Sequence, residues 1–181
     1  VANDLLDIET AETIIGAAPN FTDSQLDIAV EIVRRHCGWH IAPVRTETLT
    51  VDGNGSTELV LPTLRLTDLA TCTVDGVAVS DVEWSTNGTI ERRSRFPRKR
   101  RAVVVEVEHG HDACPDDVVG VVVTVAARIP FSTGGDGVEA GLVEEQLGSY
   151  RYRLSDSVQT EGFLTDADLF VLGAHRVPPT P

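Results

Sequence analysis

The chain has 181 residues, 41% hydrophobic and 24% charged, and its 15 Lys and Arg against 28 Asp and Glu give a formal net charge of −13. This is an ordinary length for one domain, and the apolar fraction can close a modest core, which excludes wholesale disorder. So acidic a surface repels a phosphate backbone and gains nothing from counterion release, which excludes a general coater of nucleic acid.

The first segment, residues 4–19, places Ile14 and Ile15 after a run of acidic residues and ends at Pro19, the pattern of a short helix and a stop. The next is clearer. Thr22 or Asp23 can cap a helix whose Leu26, Ile28, Ala29, Ile32 and Val33 fall at helical spacing. Arg34 and Arg35 suit the negative end of its dipole, and Gly38 ends or bends it.

From residue 45 to 110 the period changes. Asp52-Gly53 (followed by Asn54-Gly55), Asp75-Gly76 and Asn87-Gly88 punctuate β-prone runs with residues that tolerate the positive φ of tight hairpins. The runs are residues 46–51, 58–61, 69–74, 77–84, 89–92 and 102–108, and in the last Val103, Val105 and Val107 share a face. They predict an antiparallel unit of about six short strands, enough for a small sandwich or barrel.

Between the last two runs lies the sharpest local anomaly. Arg92, Arg93, Arg95, Arg98, Lys99, Arg100 and Arg101 are seven of the fifteen basic residues, and the rest of the chain is left with eight against 28 acidic, a net of −20. Residues 93–101 are expected to form a hairpin loop with Phe96-Pro97 at its middle. Such a loop can touch DNA phosphates through arginine, dock on an acidic protein surface (a second copy of this chain included), or simply be solvated. Protein contact is favoured, because a net of −20 elsewhere opposes a duplex and attracts a neighbour's basic loop.

Residues 116–129 are rich in valine and favour strand by propensity. Their ends decide for helix: Pro115 suits the first helical position, Asp116 and Asp117 the first turn, and Pro130 the exit. A Gly-rich connection at 132–137 and a further helix at 138–147 are expected next. Thr165 can then cap a last helix carrying Ala167, Leu169, Phe170 and Leu172. The fold class read from this order is α+β, a helical bundle with an inserted antiparallel β unit and an extended C-terminal tail. Its parts are N-terminal helices at 1–44, the insertion at 45–110, helices at 115–150 and a C-terminal segment at 160–181, within one domain.

Two short segments gather chemistry-bearing side chains. One holds His36, Cys37, Trp39 and His40; the other His109, His111 and Cys114. Together His36, His40, His109, His111 and Cys114 can supply a zinc site for a hydrolase or nuclease, although no C-x-x-C or H-E-x-x-H spacing supports it. The competing reading is a buried aromatic corner where a helix end meets a strand end. Cys114 precedes a helix N-terminus, a place that lowers a thiol pKa, but a small core residue accounts for it equally well. There is no G-x-S-x-G elbow, and the loop at 132–137 lacks the lysine of a phosphate-binding loop. No enzyme activity and no cofactor are expected. Three widely spaced cysteines, Cys37, Cys72 and Cys114, point to a reducing compartment. The longest uncharged apolar stretch, residues 118–127, is far short of the roughly 20 residues that span a bilayer, so no membrane partner is expected.

An ordered set of residues resembles the head-to-tail connector adaptor proteins of long-tailed double-stranded DNA phages. It runs from Val33-Arg34-Arg35-His36-Cys37-Gly38-Trp39-His40-Ile41-Ala42-Pro43 through Leu61-Pro62, Val74-Asp75-Gly76, and Gly88 with Ile90. It continues with Val105-Glu106-Val107-Glu108-His109-Gly110, Pro115-Asp116-Asp117-Val118, Leu147-Gly148-Ser149-Tyr150 and Leu164-Thr165. His111 stands where the family often has an aromatic residue, and Phe96-Pro97 where Trp-Pro is common. The resemblance implies a structural protein of the virion neck, assembled in the host cytoplasm. It implies a dodecameric ring beneath the portal protein that extends the DNA channel, lets genomic DNA pass without sequence-specific binding, and carries a downstream head-closure or tail-completion protein. It makes Gly38, Trp39, His40, His109, Gly110 and Pro115 structural corners. It also makes the C-terminal segment, with Leu164, Leu169, Phe170, Leu172 and Arg176, a portal-docking tail that competes with the plainer reading of a helix packed on its own subunit.

Overall fold

The computed structural model describes residues 5–15, 20–129 and 163–178. The expected helix at 138–147 and the motif at Leu147–Tyr150 lie outside these.

Helix α2 (Asp23–Cys37) shows how local chemistry fixes an element. The Thr22 hydroxyl accepts from the Gln25 backbone N–H and the Gln25 side-chain oxygen accepts from the Thr22 N–H, a capping box that satisfies two otherwise orphaned donors. At the other end Gly38 adopts φ +81° and donates its N–H to the Arg34 carbonyl at 2.8 Å. The apolar face between these caps, Leu26, Ala29, Val30, Val33 and Cys37, is buried against α3 (Asp116–Arg128). In α3 the valines are helical despite their strand propensity, because Val118, Val119, Val121, Val122 and Val125 together bury a helical stripe. Pro115 stands one position earlier than expected, at the N-cap. The amide of Gln25 donates to the Ile129 carbonyl at 2.6 Å, tying the start of α2 to the end of α3.

Helix α1 (Ile8–Ile15) and the residues before it add Leu5, Leu6 and Ala11 to the same core. The C-terminal segment adds α4 (Asp166–Leu172), which begins with a second capping box, Thr165 with Asp168, and runs into a short 3-10 turn at Gly173–His175. Burial favours protonation of Asp168, but the hydrogen bond from the Thr165 backbone and the pairing with Arg128 of α3 outweigh this and hold its carboxyl below the usual range. Leu164 and Leu172 are buried in the bundle core. The chain end then crosses the end of α2, where Trp39 Nε1 donates to the His175 carbonyl and the Val177 N–H to the Cys37 carbonyl.

The β unit has its own core. Strands β1 (Arg45–Val51), β7 (Val103–His109), β3 (Leu66–Val74) and β4 (Val77–Ala78) form one antiparallel sheet in the order β1-β7-β3-β4. Strands β2 (Glu58–Val60), β6 (Thr89–Arg92) and β5 (Val82–Trp84) form a second in the order β2-β6-β5. Leu59 and Ile90 from the smaller sheet meet Leu66, Cys72, Val103, Val105 and Val107 from the larger, with Phe96 and Ala102 beside them. In β7 the alternation is clean: Val103, Val105, Val107 and His109 face in, as period-two burial requires.

Three turn expectations meet different fates. Asp75-Gly76 closes the β3–β4 hairpin with φ of +50° and +79° at the two central residues, as a two-residue turn demands. Asn87-Gly88 joins the paired strands β5 and β6. Asp52-Gly53, by contrast, is not a hairpin turn, because β1 and β2 belong to different sheets. The expected single strand at 77–84 is divided, β4 staying with the larger sheet and β5 joining the smaller, so seven strands replace about six. The hairpin loop expected at 93–101 is likewise corrected. Strands β6 and β7 lie in separate sheets, and the basic strip is the crossover between them.

Candidate functional site

The basic strip is held as a rigid shelf by its backbone and by the one aromatic side chain at its centre. Phe96 is 1% exposed and plugs the β core, and its N–H donates to the Ser56 carbonyl at 2.7 Å. Arg92 is half-buried, its guanidinium 5.7 Å from the Phe96 ring centre and 3.5 Å from Asp81. Gly53 donates its N–H to the Lys99 carbonyl at 2.9 Å, and a Cβ there would lie 1.9 Å from the Pro97 carbonyl oxygen, so only glycine admits this approach. The Asp52 carboxylate accepts from the Arg101 N–H at 2.7 Å, where Arg101 adopts φ +52°. The Asp-Gly dipeptide of the β1–β2 connection is thus a clamp on the strip.

The side chains of the strip divide sharply. Arg92 is engaged as described, Lys99 pairs with Asp75 at 2.6 Å, and Arg95 donates to the Gly55 carbonyl at 3.3 Å. Arg93, Arg98, Arg100 and Arg101 are exposed, and their guanidinium groups have no partner among the described residues. The fold therefore presents four unneutralised cations on a backbone it has immobilised. Of the clamp residues, Asp52, Gly53 and Asp75 stood out in the sequence only as turn formers, and Asp81 not at all.

The second cluster lies where the bundle meets the β unit. Arg34, in the last turn of α2, donates to the carbonyls of His40 (2.9 Å) and Ala42 (2.8 Å), and the His111 N–H donates to the Ile41 carbonyl. These bonds fold the segment after α2 against the segment after β7. His40 and His109, 5% and 2% exposed, stack edge to face with ring centres 4.3 Å apart. Trp39 lies 5.9 Å from both the His40 and His111 rings. Gly110 has φ +120°, and a Cβ on it would lie 2.6 Å from His40 Nε2, so this corner also requires glycine.

His40 Nε2 sits 2.9 Å from the Pro43 carbonyl, and His109 Nε2 3.2 Å from Glu47, which is also held by Arg45. Burial first, then His109 and Arg45, push the His40 imidazole down to about 4. Burial lowers His109 too, against the pull of Glu47. Burial favours protonation of Glu47, but its bonds and charge interactions with Arg45 and His109 outweigh this and leave its carboxyl below the ordinary range. Of the five candidate zinc ligands, the fold brings His40 and His109 together with Glu47, a residue sequence did not flag; one ligand atom from each lies within 4.8 Å of the others. His36 and Cys114 are not in that group. Cys114 packs against the bundle core, where burial and nearby carboxylates push its thiol up to about 12, the reverse of an activated cysteine at a helix N-terminus. Trp39, His40, His109 and Gly110 thus lie together in a buried corner between helix and strand.

In the C-terminal segment, Leu164 and Leu172 serve the chain's own core and Leu169 packs partly against it. Phe170 points away and is 87% exposed, and Arg176 is exposed as well. Among the described residues no helix is long and apolar enough to cross a membrane.

No family model matches the chain, and no curated protein matches it. Solved structures do. A chain in the neck of an empty gene transfer agent particle, computed with C6 symmetry, aligns over 98% of this chain and 92% of its own with a TM-score of 0.60 at 13% identity. One in the neck of the native particle, computed with C12 symmetry, aligns over 88% of this chain and 83% of its own with a TM-score of 0.55 at 12% identity. A chain in the virion of the native gene transfer agent particle aligns over 77% of this chain and 84% of its own, TM-score 0.53, at 16% identity. At these identities the likeness is one of fold, and it takes in both the helices and the β unit.

Proposed function

We propose that this chain is a structural component of the neck of a tailed phage or phage-like particle, a head-to-tail adaptor that forms a ring beneath the portal. The observation that carries this reading is the end-to-end match of fold, 98% of this chain against 92% of a chain in a gene transfer agent neck. The neck structures it resembles were computed with C12 and C6 symmetry, which supports a closed ring. No catalytic step is assigned to the chain.

A ring of identical subunits needs a heterologous interface, one face meeting a different face of the next copy. Arg93, Arg98, Arg100 and Arg101 supply one such face, and the acidic remainder of the molecule supplies its complement on a neighbour or on the portal. Acidic surface turned to the lumen lets DNA slide without adhering. Because Leu164 and Leu172 are committed to the subunit core, Phe170 and Arg176 are the members of the C-terminal set left for portal docking. The opposite face of the ring would receive the head-closure or tail-completion protein.

Electron microscopy of the purified protein, alone and mixed with its portal, tests this reading. Rings stacked coaxially on the portal are expected; a monomer with no portal affinity overturns it. Reversing Arg93, Arg98, Arg100 and Arg101 to Glu, with Lys99 left to its Asp75 pairing, should block assembly while leaving the melting temperature within a few degrees of the parent, since surface changes typically cost no more than about 0.5 kcal/mol. Normal rings from that variant would remove the strip from the interface.

A further inference from the structure

His40, Glu47 and His109 come from three different elements, the segment after α2, strand β1 and the end of β7, and converge at the junction of bundle and β unit. We propose that these three side chains bind a zinc-class divalent metal ion that pins the two halves of the subunit together. The site is structural in role and independent of the ring reading.

The hydrogen-bond ledger carries the argument. The Pro43 carbonyl can only accept, so His40 bears its proton on Nε2 and leaves Nδ1 as a bare lone pair. That Nδ1 is buried and has no partner among the described residues, and His109 Nδ1 is in the same condition. Two orphaned ring nitrogens in one buried corner are unusual, since each unmet buried polar atom costs about 1–3 kcal/mol. A cation that takes a lone pair removes such a cost. The Nε2–H bond of His40 to a carbonyl is also the second contact that commonly orients a metal-ligating imidazole.

The distances and the donor set fit. A tetrahedral ion with bonds of about 2.0–2.1 Å holds its ligand atoms about 3.3 Å apart. One ligand atom from each of His40, Glu47 and His109 already lies within 4.8 Å of the other two, a spacing that small side-chain shifts close. Two imidazoles and one carboxylate suit zinc, and cobalt and nickel after it. Both imidazoles are already held neutral by burial, so little proton release opposes binding at neutral pH. Glu47 is 37% exposed, which opens the remaining coordination position towards solvent. The charged groups facing the cluster are Arg45, paired with Glu47 at 2.7 Å, and Arg34. Arg45 is the competitor for the carboxylate, and at 41% exposure its side chain has room to swing away.

The test uses the full chain, stripped with a chelator and titrated with zinc by calorimetry and with cobalt(II) by visible absorption. One ion per chain is expected, with a cobalt spectrum of four- or five-coordinate nitrogen and oxygen ligation and a rise in melting temperature on adding zinc. Glu47→Gln, a half-exposed change that keeps the side-chain shape, should weaken binding about tenfold or more, as loss of groups in or beside a metal shell does. Arg45→Ala should tighten it by freeing the carboxylate. Absence of stoichiometric binding overturns the proposal, and so does undiminished affinity in Glu47→Gln, which would place the ion on other histidines such as His36 or His175.

Discussion

Acidification from pH 7 to pH 4 in the presence of chelator should remove about 3 kcal/mol of stability through His40 alone. Its imidazole falls from the ordinary 6.5 to about 4 in the folded chain, because the ring is buried and faces His109 and Arg45. Below pH 6.5 the unfolded chain takes up a proton that the folded chain refuses, so the unfolded state binds more protons and stability falls as pH falls. The loss begins near pH 6.5, grows down to about pH 4, and then levels off. At about 1.4 kcal/mol per unit, the gap amounts to about 3 kcal/mol by pH 4. His109 and His111 are also lowered and add to the fall, whereas Glu47, Asp117 and Asp168 contribute only in the more acid range where their depressed carboxyls protonate. Urea unfolding at half-unit steps of pH measures the profile, and His40→Gln, whose amide can still donate to the Pro43 carbonyl, should flatten it. Nuclear magnetic resonance titration of the wild-type ring protons gives a check that does not depend on the variant. A flat profile between pH 7 and 4.5, or a His40 resonance titrating near 6.5, would refute the account of a dry, doubly stacked imidazole.

Further outcomes follow from the two cores. Leu172→Ala empties a fully buried position between α4 and the bundle and should cost about 2–5 kcal/mol in chemical denaturation; a cost under 1 kcal/mol would mean that α4 is not packed on its own subunit. Phe96→Ala should cost about 3–5 kcal/mol and loosen the basic shelf, read as faster hydrogen exchange at the Gly53 and Phe96 amides, because both donate to the backbone across the clamp. Thr165→Ala removes a capping box and should cost about 1 kcal/mol, seen as a small fall in melting temperature without loss of cooperativity.

Helices were the most legible part of the sequence because their signals are local. Thr22, Gly38 and Thr165 cap where their side chains or their lack of one dictate, and the valine-rich α3 was identified by its acidic first turn and bounding prolines against its own strand propensity. Strand positions were legible for the same reason, and Asp75-Gly76 closes a hairpin as its positive φ angles require. Which strands pair was not legible. Asp52-Gly53 and Asp75-Gly76 look alike in sequence, yet one turns a hairpin and the other clamps a crossover, a difference set by which sheet the next strand joins.

What the sequence determined by itself is the composition of the parts: an acidic chain, a bundle with a β insertion, a concentrated basic strip, and two segments rich in histidine. The tertiary structure decided what those parts do to one another. It buried Leu164 and Leu172 and left Phe170 open; it neutralised Lys99 and left Arg93, Arg98, Arg100 and Arg101 without a partner among the described residues; it set Glu47 beside His40 and His109. The physical reason is range. Caps, turns and periodicity act over a few residues, whereas burial, ion pairing and desolvation depend on groups far apart in sequence, such as Glu47 and His109, which meet only once β1 has paired with β7.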